Sequence, residues 1–140
     1  MKYSIKIEIP FLVMFFLLLS CPGEDMSSSD DNLNFERPTV ITTFATSILS
    51  SSVSVVGEVI DSGAGIISAR GVCWSIMPNP VITDDKTIEG SGLGTFVSNI
   101  TGLTSETSYY ARAYATNSEG TAYGNEVVFK TAIAFPTCVY

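Results

Sequence analysis

Short runs of apolar and β-branched residues, separated by turn-forming clusters, recur along the chain from residue 38 to residue 131. The runs are rich in Val, Ile, Thr, Tyr and Phe, and Gly, Pro, Asn, Asp or Ser interrupts them roughly every eight to twelve residues. This spacing is typical of an all-β sandwich. It predicts a fold without helices and with seven strands, at 39–47, 52–61, 66–76, 81–87, 94–103, 108–117 and 124–130.

Alternation along two of these strands assigns their faces, because successive side chains of a strand point to opposite sides of the sheet. In the second strand one side carries Val53, Val55, Gly57 and Val59, and the other carries Ser54 and Glu58. In the sixth strand one side carries Tyr109, Ala111, Ala113 and Ala115, and the other carries Tyr110, Arg112, Tyr114 and Thr116. The sides with charged residues are expected to face water.

The segment from Leu103 to Tyr109 is typical of a tyrosine corner. In that motif the tyrosine hydroxyl returns to the backbone upstream and holds a Greek-key crossover in place. We expect Tyr109 to stabilise the scaffold in this way and to take no part in binding.

The N-terminal segment has the order of a secretory signal peptide. Lys2 and Lys6 precede an apolar run from residue 9 to residue 19, and the small residue Ser20 follows it. The run is too short to span a bilayer, which needs about 20 apolar residues. We therefore predict that residues 1–20 are a signal peptide that is removed.

The end of this segment, Leu18-Leu19-Ser20-Cys21, resembles the lipobox of bacterial lipoproteins. The resemblance implies an outer-membrane lipoprotein whose Cys21 carries acyl chains such as palmitate. Each buried CH₂ of a chain contributes about 0.8 kcal/mol, so several chains would hold the protein durably on the membrane. The alternative is a plain signal peptide with an incidental cysteine.

Residues 21–36 contain too little apolar surface to offset the entropy of an ordered chain, which predicts a flexible acidic tether after the lipidated cysteine. Its acidic residues resemble the surface-export signal of lipoproteins in the Bacteroidetes group. A merely solvated linker explains them equally well. The cell surface and the periplasmic face therefore both remain open as locations.

Charge and composition exclude several functions. The whole chain has a net charge of −7, and its basic residues beyond the signal segment are scattered at Arg37, Arg70, Lys86, Arg112 and Lys130. Polyphosphate partners need clustered basic residues, so we expect no nucleic-acid binding, and membrane attachment only through the lipid on Cys21. Histidine is absent, which removes the usual general base and the commonest zinc ligand. We expect a noncatalytic protein with no cofactor and no metal site.

Two cysteines remain once Cys21 carries lipid. Cys73 lies in a predicted strand, and Cys138 lies beyond the apparent domain. They could pair, but a disulfide needs their Cα atoms within about 7 Å. We expect Cys73 to be a buried free thiol.

The segment from residue 103 to residue 120 resembles the end of a fibronectin type III domain. More narrowly, the chain resembles a Bacteroidetes version of that domain, through Arg70-Gly-Val-Cys-Trp-Ser75, Asn79-Pro80, Lys86-Thr87, Gly90-Ser-Gly92 and Thr121-Ala-Tyr-Gly-Asn125. The likeness covers residues 37–132 and implies an immunoglobulin-like, seven-stranded Greek-key β-sandwich without catalytic residues. Relatives commonly continue into further repeats, so residues 133–140 are interpreted as a tail or as the start of a missing module.

The most specific candidate for a ligand-binding site is an aromatic patch. The third and sixth strands should be neighbours, and the candidate ligand-binding residues are Trp74, Tyr110, Arg112 and Tyr114. Flat rings beside a guanidinium would suit a sugar face or a protein hot spot. The alternative turns Val72 and Trp74 inward as core. Alternation groups Trp74 with Arg70 and does not say which of them decides the face.

A second candidate site is the group of acidic residues Asp84, Asp85 and Glu89. Hard cations such as Ca²⁺ are bound by several carboxylate oxygens, but the spacing of these three residues does not match a calcium-binding loop. We therefore expect a solvated turn.

Taken together, these features predict a lipid-anchored cell-envelope protein whose β-sandwich acts as an adhesion, interaction or spacer module for protein or glycan partners. The alternative is a glycan-binding module of a polysaccharide-utilisation or adhesin system, as part of a longer protein.

Overall fold

The computed structural model describes residues 36–137, which fall within one compact unit, Asn34–Tyr140. The predicted signal peptide, the predicted lipidation site Cys21, the predicted tether up to residue 35 and Cys138 all lie outside the described residues. From residue 36 to residue 137 there is no helix long and apolar enough to cross a membrane.

Within this range the chain forms an all-β sandwich of two antiparallel sheets, as the sequence predicts. The strands are β1 (Thr39–Thr46), β2 (Ser52–Asp61), β3 (Ala69–Ser75), β4 (Asp85–Lys86), β5 (Gly94–Thr101), β6 (Ser108–Asn117), β7 (Gly120–Tyr123) and β8 (Val127–Lys130). One sheet has the order β1-β2-β5, and the other has the order β4-β3-β6-β7, with β8 also paired to β6.

The predicted seventh strand, 124–130, is shorter than expected, since β8 contains only Val127–Lys130. Strand β7, Gly120–Tyr123, was not predicted, and residues 124–126 separate it from β8. A Cβ atom on Gly124 would lie only 2.6 Å from the backbone nitrogen of Thr42 in β1. The same nitrogen donates a hydrogen bond of 3.0 Å to Oδ1 of Asn125. The backbone nitrogen of Gly124 still donates to the Ala113 carbonyl of β6 at 2.8 Å, and regular pairing with β6 resumes at Val127.

The predicted fourth strand, 81–87, is also shorter than expected, since β4 contains only Asp85 and Lys86. The residues before it close a turn in which the backbone nitrogen of Asp84 donates to the carbonyl of Val81. The Asp84 carboxylate in turn accepts a hydrogen bond of 2.8 Å from the Val81 nitrogen. This local hydrogen bonding competes with the ladder, as is common for aspartate.

The core lies between the two sheets, and the predicted alternation of β2 and of the inner side of β6 is confirmed. Buried members from these two strands include Val53, Val55, Val59, Ala111, Ala113 and Ala115. Gly57 continues the inner side of β2, where an added Cβ atom would lie 2.7 Å from both Phe96 and Ala113. The glycine is therefore needed for the close packing of the two sheets at this point.

The predicted tyrosine corner is also confirmed. The Tyr109 hydroxyl accepts a hydrogen bond of 3.0 Å from the backbone nitrogen of Thr104. Its ring stacks on Phe129 with a centroid distance of 5.8 Å. This contact ties the connection before β6 to the core.

Candidate functional site

Trp74 lies on the inner side of its sheet, which agrees with the alternative that turns Val72 and Trp74 inward and not with an outward face shared with the sixth-strand aromatics. The β3–β6 register places Trp74 opposite Ala111 and Val72 opposite Ala113. Both alanines are fully buried, and the half-buried Trp74 packs against the core. The structure therefore does not bring Trp74 together with Tyr110, Arg112 and Tyr114.

Arg70 shares the inner side with Trp74 but lies near the other end of β3. Its Nη1 donates hydrogen bonds to the carbonyl oxygens of Leu93 at 2.7 Å and of Gly92 at 3.0 Å. Its guanidinium carbon lies 5.2 Å from the centroid of the Phe96 ring. These carbonyls and this ring compensate the charge, so an arginine is tolerated on the inward-facing side.

Tyr114 does project from the outer face of its sheet, but it is only 2% exposed. Its neighbour across the ladder is Gly71, where an added Cβ atom would lie 2.2 Å from the carbonyl oxygen of Thr87. The Tyr114 hydroxyl donates a hydrogen bond of 2.7 Å to that same oxygen. Burial raises the pKa of this hydroxyl above its usual value. Tyr114 is thus occupied by contacts within the domain.

Arg112 also projects from the outer face, where a segment of the chain covers it. We call residues 76–84 the Pro80 loop. Arg112 donates from Nε at 3.0 Å and from Nη2 at 2.8 Å to the carbonyl oxygen of Pro80, which is itself buried. The guanidinium carbon lies 4.4 Å from the centroid of the Tyr123 ring. Arg112 therefore holds the Pro80 loop against the sheet.

Two further side chains fasten the same loop. The Tyr123 hydroxyl accepts a hydrogen bond of 3.1 Å from the backbone nitrogen of Ile82. The Glu126 carboxylate accepts another from the backbone nitrogen of Asn79. Of the predicted sixth-strand patch, only Tyr110 remains half-exposed without a hydrogen bond from its side chain among the described residues.

Cys73 lies beneath the Pro80 loop and is a buried free thiol, as predicted. Its Sγ lies 3.5 Å from the carbonyl oxygens of Pro80 and Arg112. Burial raises the pKa of the thiol to about 11, although the positive charge of Arg112 partly opposes the increase. The thiol is therefore protonated at neutral pH and a poor nucleophile.

A surface cleft of about 430 Å³ brings the half-exposed Trp74 together with the acidic residues. Its lining consists of Trp74, Ser75, Ile76, Thr83, Asp84, Asp85 and Tyr109. Asp85 lies directly opposite Trp74 in the β3–β4 register. Glu89 does not belong to this group, because its backbone pairs with Arg70 near the other end of β3.

The cleft places an aromatic face beside two carboxylates. The aromatic face can stack on the ring of a ligand, and the carboxylates can accept hydrogen bonds from hydroxyl groups. The combination was not predicted, since it depends on the pairing of two-residue β4 with β3. Over residues 36–137 the structure contains no group of three His, Cys, Asp or Glu side chains that could hold a metal ion.

No protein-family model matches this sequence, and no curated protein matches it either. Several solved structures are similar in fold. The sensor domain of the anti-sigma factor RsgI4 in Pseudobacteroides cellulosolvens is 16% identical, with a TM-score of 0.52 over 71% of this chain and 98% of that domain. A human fourth FNIII domain is 19% identical, with a TM-score of 0.53 over 73% of this chain and 86% of that one.

A structure described as a myokine is 12% identical, with a TM-score of 0.51 over 70% of this chain and all of that chain. At these identities the likeness concerns the fold alone. The strand order β1-β2-β5 facing β4-β3-β6-β7, the tyrosine corner and these structural neighbours agree. The described part of this chain is therefore a β-sandwich with a fibronectin type III-like fold.

Proposed function

We propose that this protein is a noncatalytic, lipid-anchored component of a bacterial cell envelope whose β-sandwich acts as an adhesion, interaction or spacer module. The observation that carries the proposal is Leu18-Leu19-Ser20-Cys21, which resembles a lipobox, ahead of an acidic segment and a fibronectin type III-like domain. A lipid at Cys21 would leave the domain as the part of the protein available to partners.

The use of polar side chains within the domain supports a noncatalytic role. Arg70 and Arg112 donate to backbone carbonyls, and the Tyr114 hydroxyl does the same. Cys73 is buried, and its pKa is about 11. These groups stabilise the sandwich and its loops, and none of them lines the cleft beside Trp74.

The anchoring step is tested by expressing the full chain and its Cys21→Ala variant in a bacterium that processes lipoproteins. We expect the parent chain in the membrane fraction with acyl mass on Cys21, and we expect the variant to lack that mass. Cys138→Ala is the matched control and should behave as the parent. Recovery of the parent chain in the aqueous fraction, without acyl mass, would contradict the proposal.

Protease treatment of intact cells then tests the location of the domain. Loss of the domain supports a surface-exposed module with external protein or glycan partners. Cleavage only after rupture of the envelope supports a periplasmic position and a spacer or scaffolding role.

A second candidate function is glycan binding, and the cleft beside Trp74 is the observation that favours it. Trp74 offers part of its ring, and the exposed carboxylates Asp84 and Asp85 can accept hydrogen bonds from sugar hydroxyls. The site would differ from the predicted patch, because Tyr110, Arg112 and Tyr114 lie on the opposite side of the sheet.

Trp74 is the single tryptophan of the chain, so its fluorescence reports directly on this cleft. Titration with plant and microbial oligosaccharides should change the emission of the parent and of Glu58→Gln, which removes a charge outside the cleft. Asp85→Asn should weaken the response, and Tyr110→Ala should leave it unchanged. Equal responses of parent and Asp85→Asn, or none from any oligosaccharide, would dismiss this candidate.

A further inference from the structure

The edges of the two sheets differ in how they avoid pairing with other strands. An edge strand exposes unpaired backbone groups, and natural sheets blunt it with charges, bulges, prolines or short length. In the described part of the chain, edge β1 contains two register shifts. Edge β4 has only two residues, both charged. The edge formed by β7 and β8 is interrupted at residues 124–126.

Strand β5 has none of these protections. It runs for eight residues, Gly94–Thr101, without a charged residue or a proline. Its pairing with β2 is continuous, from Val59 opposite Gly94 to Ser52 opposite Thr101, with no shift in register. Among residues 36–137, the backbone hydrogen bonds made outside the strand ladders do not involve residues 95–101. The outer edge of β5 is therefore a regular template for another strand.

An exposed apolar row leads to this edge. Phe44, Val56 and Val97 lie next to one another across β1, β2 and β5 on the outer face of the sheet. Phe44 is 51% exposed and Val97 is 49% exposed. The row ends at β5, so a strand added there would extend it.

We propose that β5 pairs antiparallel with β5 of a second copy of this chain, about a two-fold axis at Val97. Pairing of Val97 with Val97 of the second copy keeps the outer faces of both sheets on one side. It places Thr95 opposite Asn99 of the second copy and joins the two apolar rows. The result is a continuous six-stranded sheet.

Charge favours this occupant. The chain has a net charge of −7, so two copies repel one another wherever acidic surfaces meet. The β5 edge lets two identical chains approach without opposing like charges, because none of its eight residues is charged. The contact is self-complementary and requires no other protein.

Disulfide trapping in the full-length chain tests both the contact and its register. Cα atoms directly opposite in an antiparallel pair lie about 4.5–5.5 Å apart, within the range of a disulfide. Val97→Cys should therefore yield a disulfide-linked dimer under mild oxidation. Val128→Cys is the matched control, since Val128 is 59% exposed on β8. The unmodified chain supplies the background from its native cysteines.

A higher yield from Val97→Cys than from Val128→Cys supports the proposal. Equal yields, or no dimer above the background, would overturn it. Sedimentation equilibrium of the full-length chain in detergent provides a second measurement, in which the parent should be dimeric and Val97→Lys should shift toward monomer. Because neither measurement depends on the lipid at Cys21, failure here and failure of the anchoring proposal are distinguishable.

Discussion

Replacing Arg112 with methionine should release the Pro80 loop while leaving the sandwich folded. The substitution removes two hydrogen bonds to the Pro80 carbonyl, at 3.0 and 2.8 Å, and the contact with the Tyr123 ring. It retains most of the aliphatic length of the side chain. The main effect should therefore be the loss of loop closure and not the loss of core packing.

The magnitude follows from these contacts. Because both hydrogen bonds end on the same carbonyl oxygen, we count them together as one hydrogen bond to a charged group, which contributes about 1.5–3 kcal/mol, and an exposed cation–π contact adds about 0.5–1 kcal/mol. Arg112 is only half-buried, so solvent screening places the total near the lower end, at about 2 kcal/mol. Since about 1.4 kcal/mol corresponds to a factor of ten, the population of the open loop should rise roughly 30-fold.

Cys73 reports on this opening, because its Sγ lies beneath the loop, 3.5 Å from the Pro80 carbonyl oxygen. We would measure the rate of alkylation of Cys73 at fixed pH and identify the modified cysteine by peptide mass spectrometry. The expected result is a roughly 30-fold faster rate in Arg112→Met, if opening is rapid compared with alkylation. The direct effect of Arg112 on the thiol acts in the opposite direction, because removal of the charge raises the pKa of Cys73 in the closed state.

Arg37→Met is the matched control, because it removes the same charge from an exposed position outside the loop. Its alkylation rate should equal that of the parent. Urea unfolding should show that all three proteins are folded under the labelling conditions. An unchanged rate in folded Arg112→Met would refute the conclusion that Arg112 holds the loop closed.

Three further predictions concern stability. Tyr109→Phe should lower the free energy of unfolding by about 0.5–1.5 kcal/mol, because it removes a hydrogen bond at the tyrosine corner but keeps the ring, and urea denaturation measures this. Gly71→Ala should lower the free energy of unfolding by about 2–4 kcal/mol, since the new Cβ would lie 2.2 Å from a hydrogen-bonded carbonyl oxygen. Gly102→Ala has open space around the new Cβ and a φ of +78°, so it should lower the same free energy by only about 1–2 kcal/mol. Equal losses in the two variants would contradict the steric explanation. The raised pKa of Cys73 contributes fully to the stability of the folded state below pH 9, and this contribution should decline as the pH rises from 9 to 11, because the thiol ionises first in the unfolded chain. Cys73→Ala should therefore show a smaller decline in the free energy of unfolding over that interval. An identical decline in the parent and the variant would contradict the raised pKa of Cys73.

The faces of β2 and of the inner side of β6 were predictable because their information is local. Alternation assigns one side of a strand to the core whenever the other side carries charge, as with Val55 beside Glu58. The tyrosine corner was predictable for the same reason, since Tyr109 and its backbone partner at residue 104 are only five positions apart.

The face of Trp74 was not predictable, because Arg70 is on the same side of β3 and the two residues favour opposite assignments. The conflict is resolved by contacts distant in sequence. The carbonyls that compensate Arg70 belong to residues 89–94, about twenty positions further along the chain. Alternation contains no information about such partners.

The same limitation explains why the predicted aromatic patch on the sixth strand is not free to bind a ligand. Arg112 and Tyr114 do project from the outer face of their sheet, as alternation indicates. Their side chains, however, donate hydrogen bonds to the backbone carbonyls of Pro80 and Thr87. Strand pairing instead places Trp74 beside Asp85 in a cleft. The sequence by itself determined the places of the five longest strands, the core sides of β2 and β6 and the class of fold, because these follow from local periodicity. Only the tertiary structure decided which polar and aromatic groups remain available for binding, because that depends on hydrogen bonds between segments far apart in the chain.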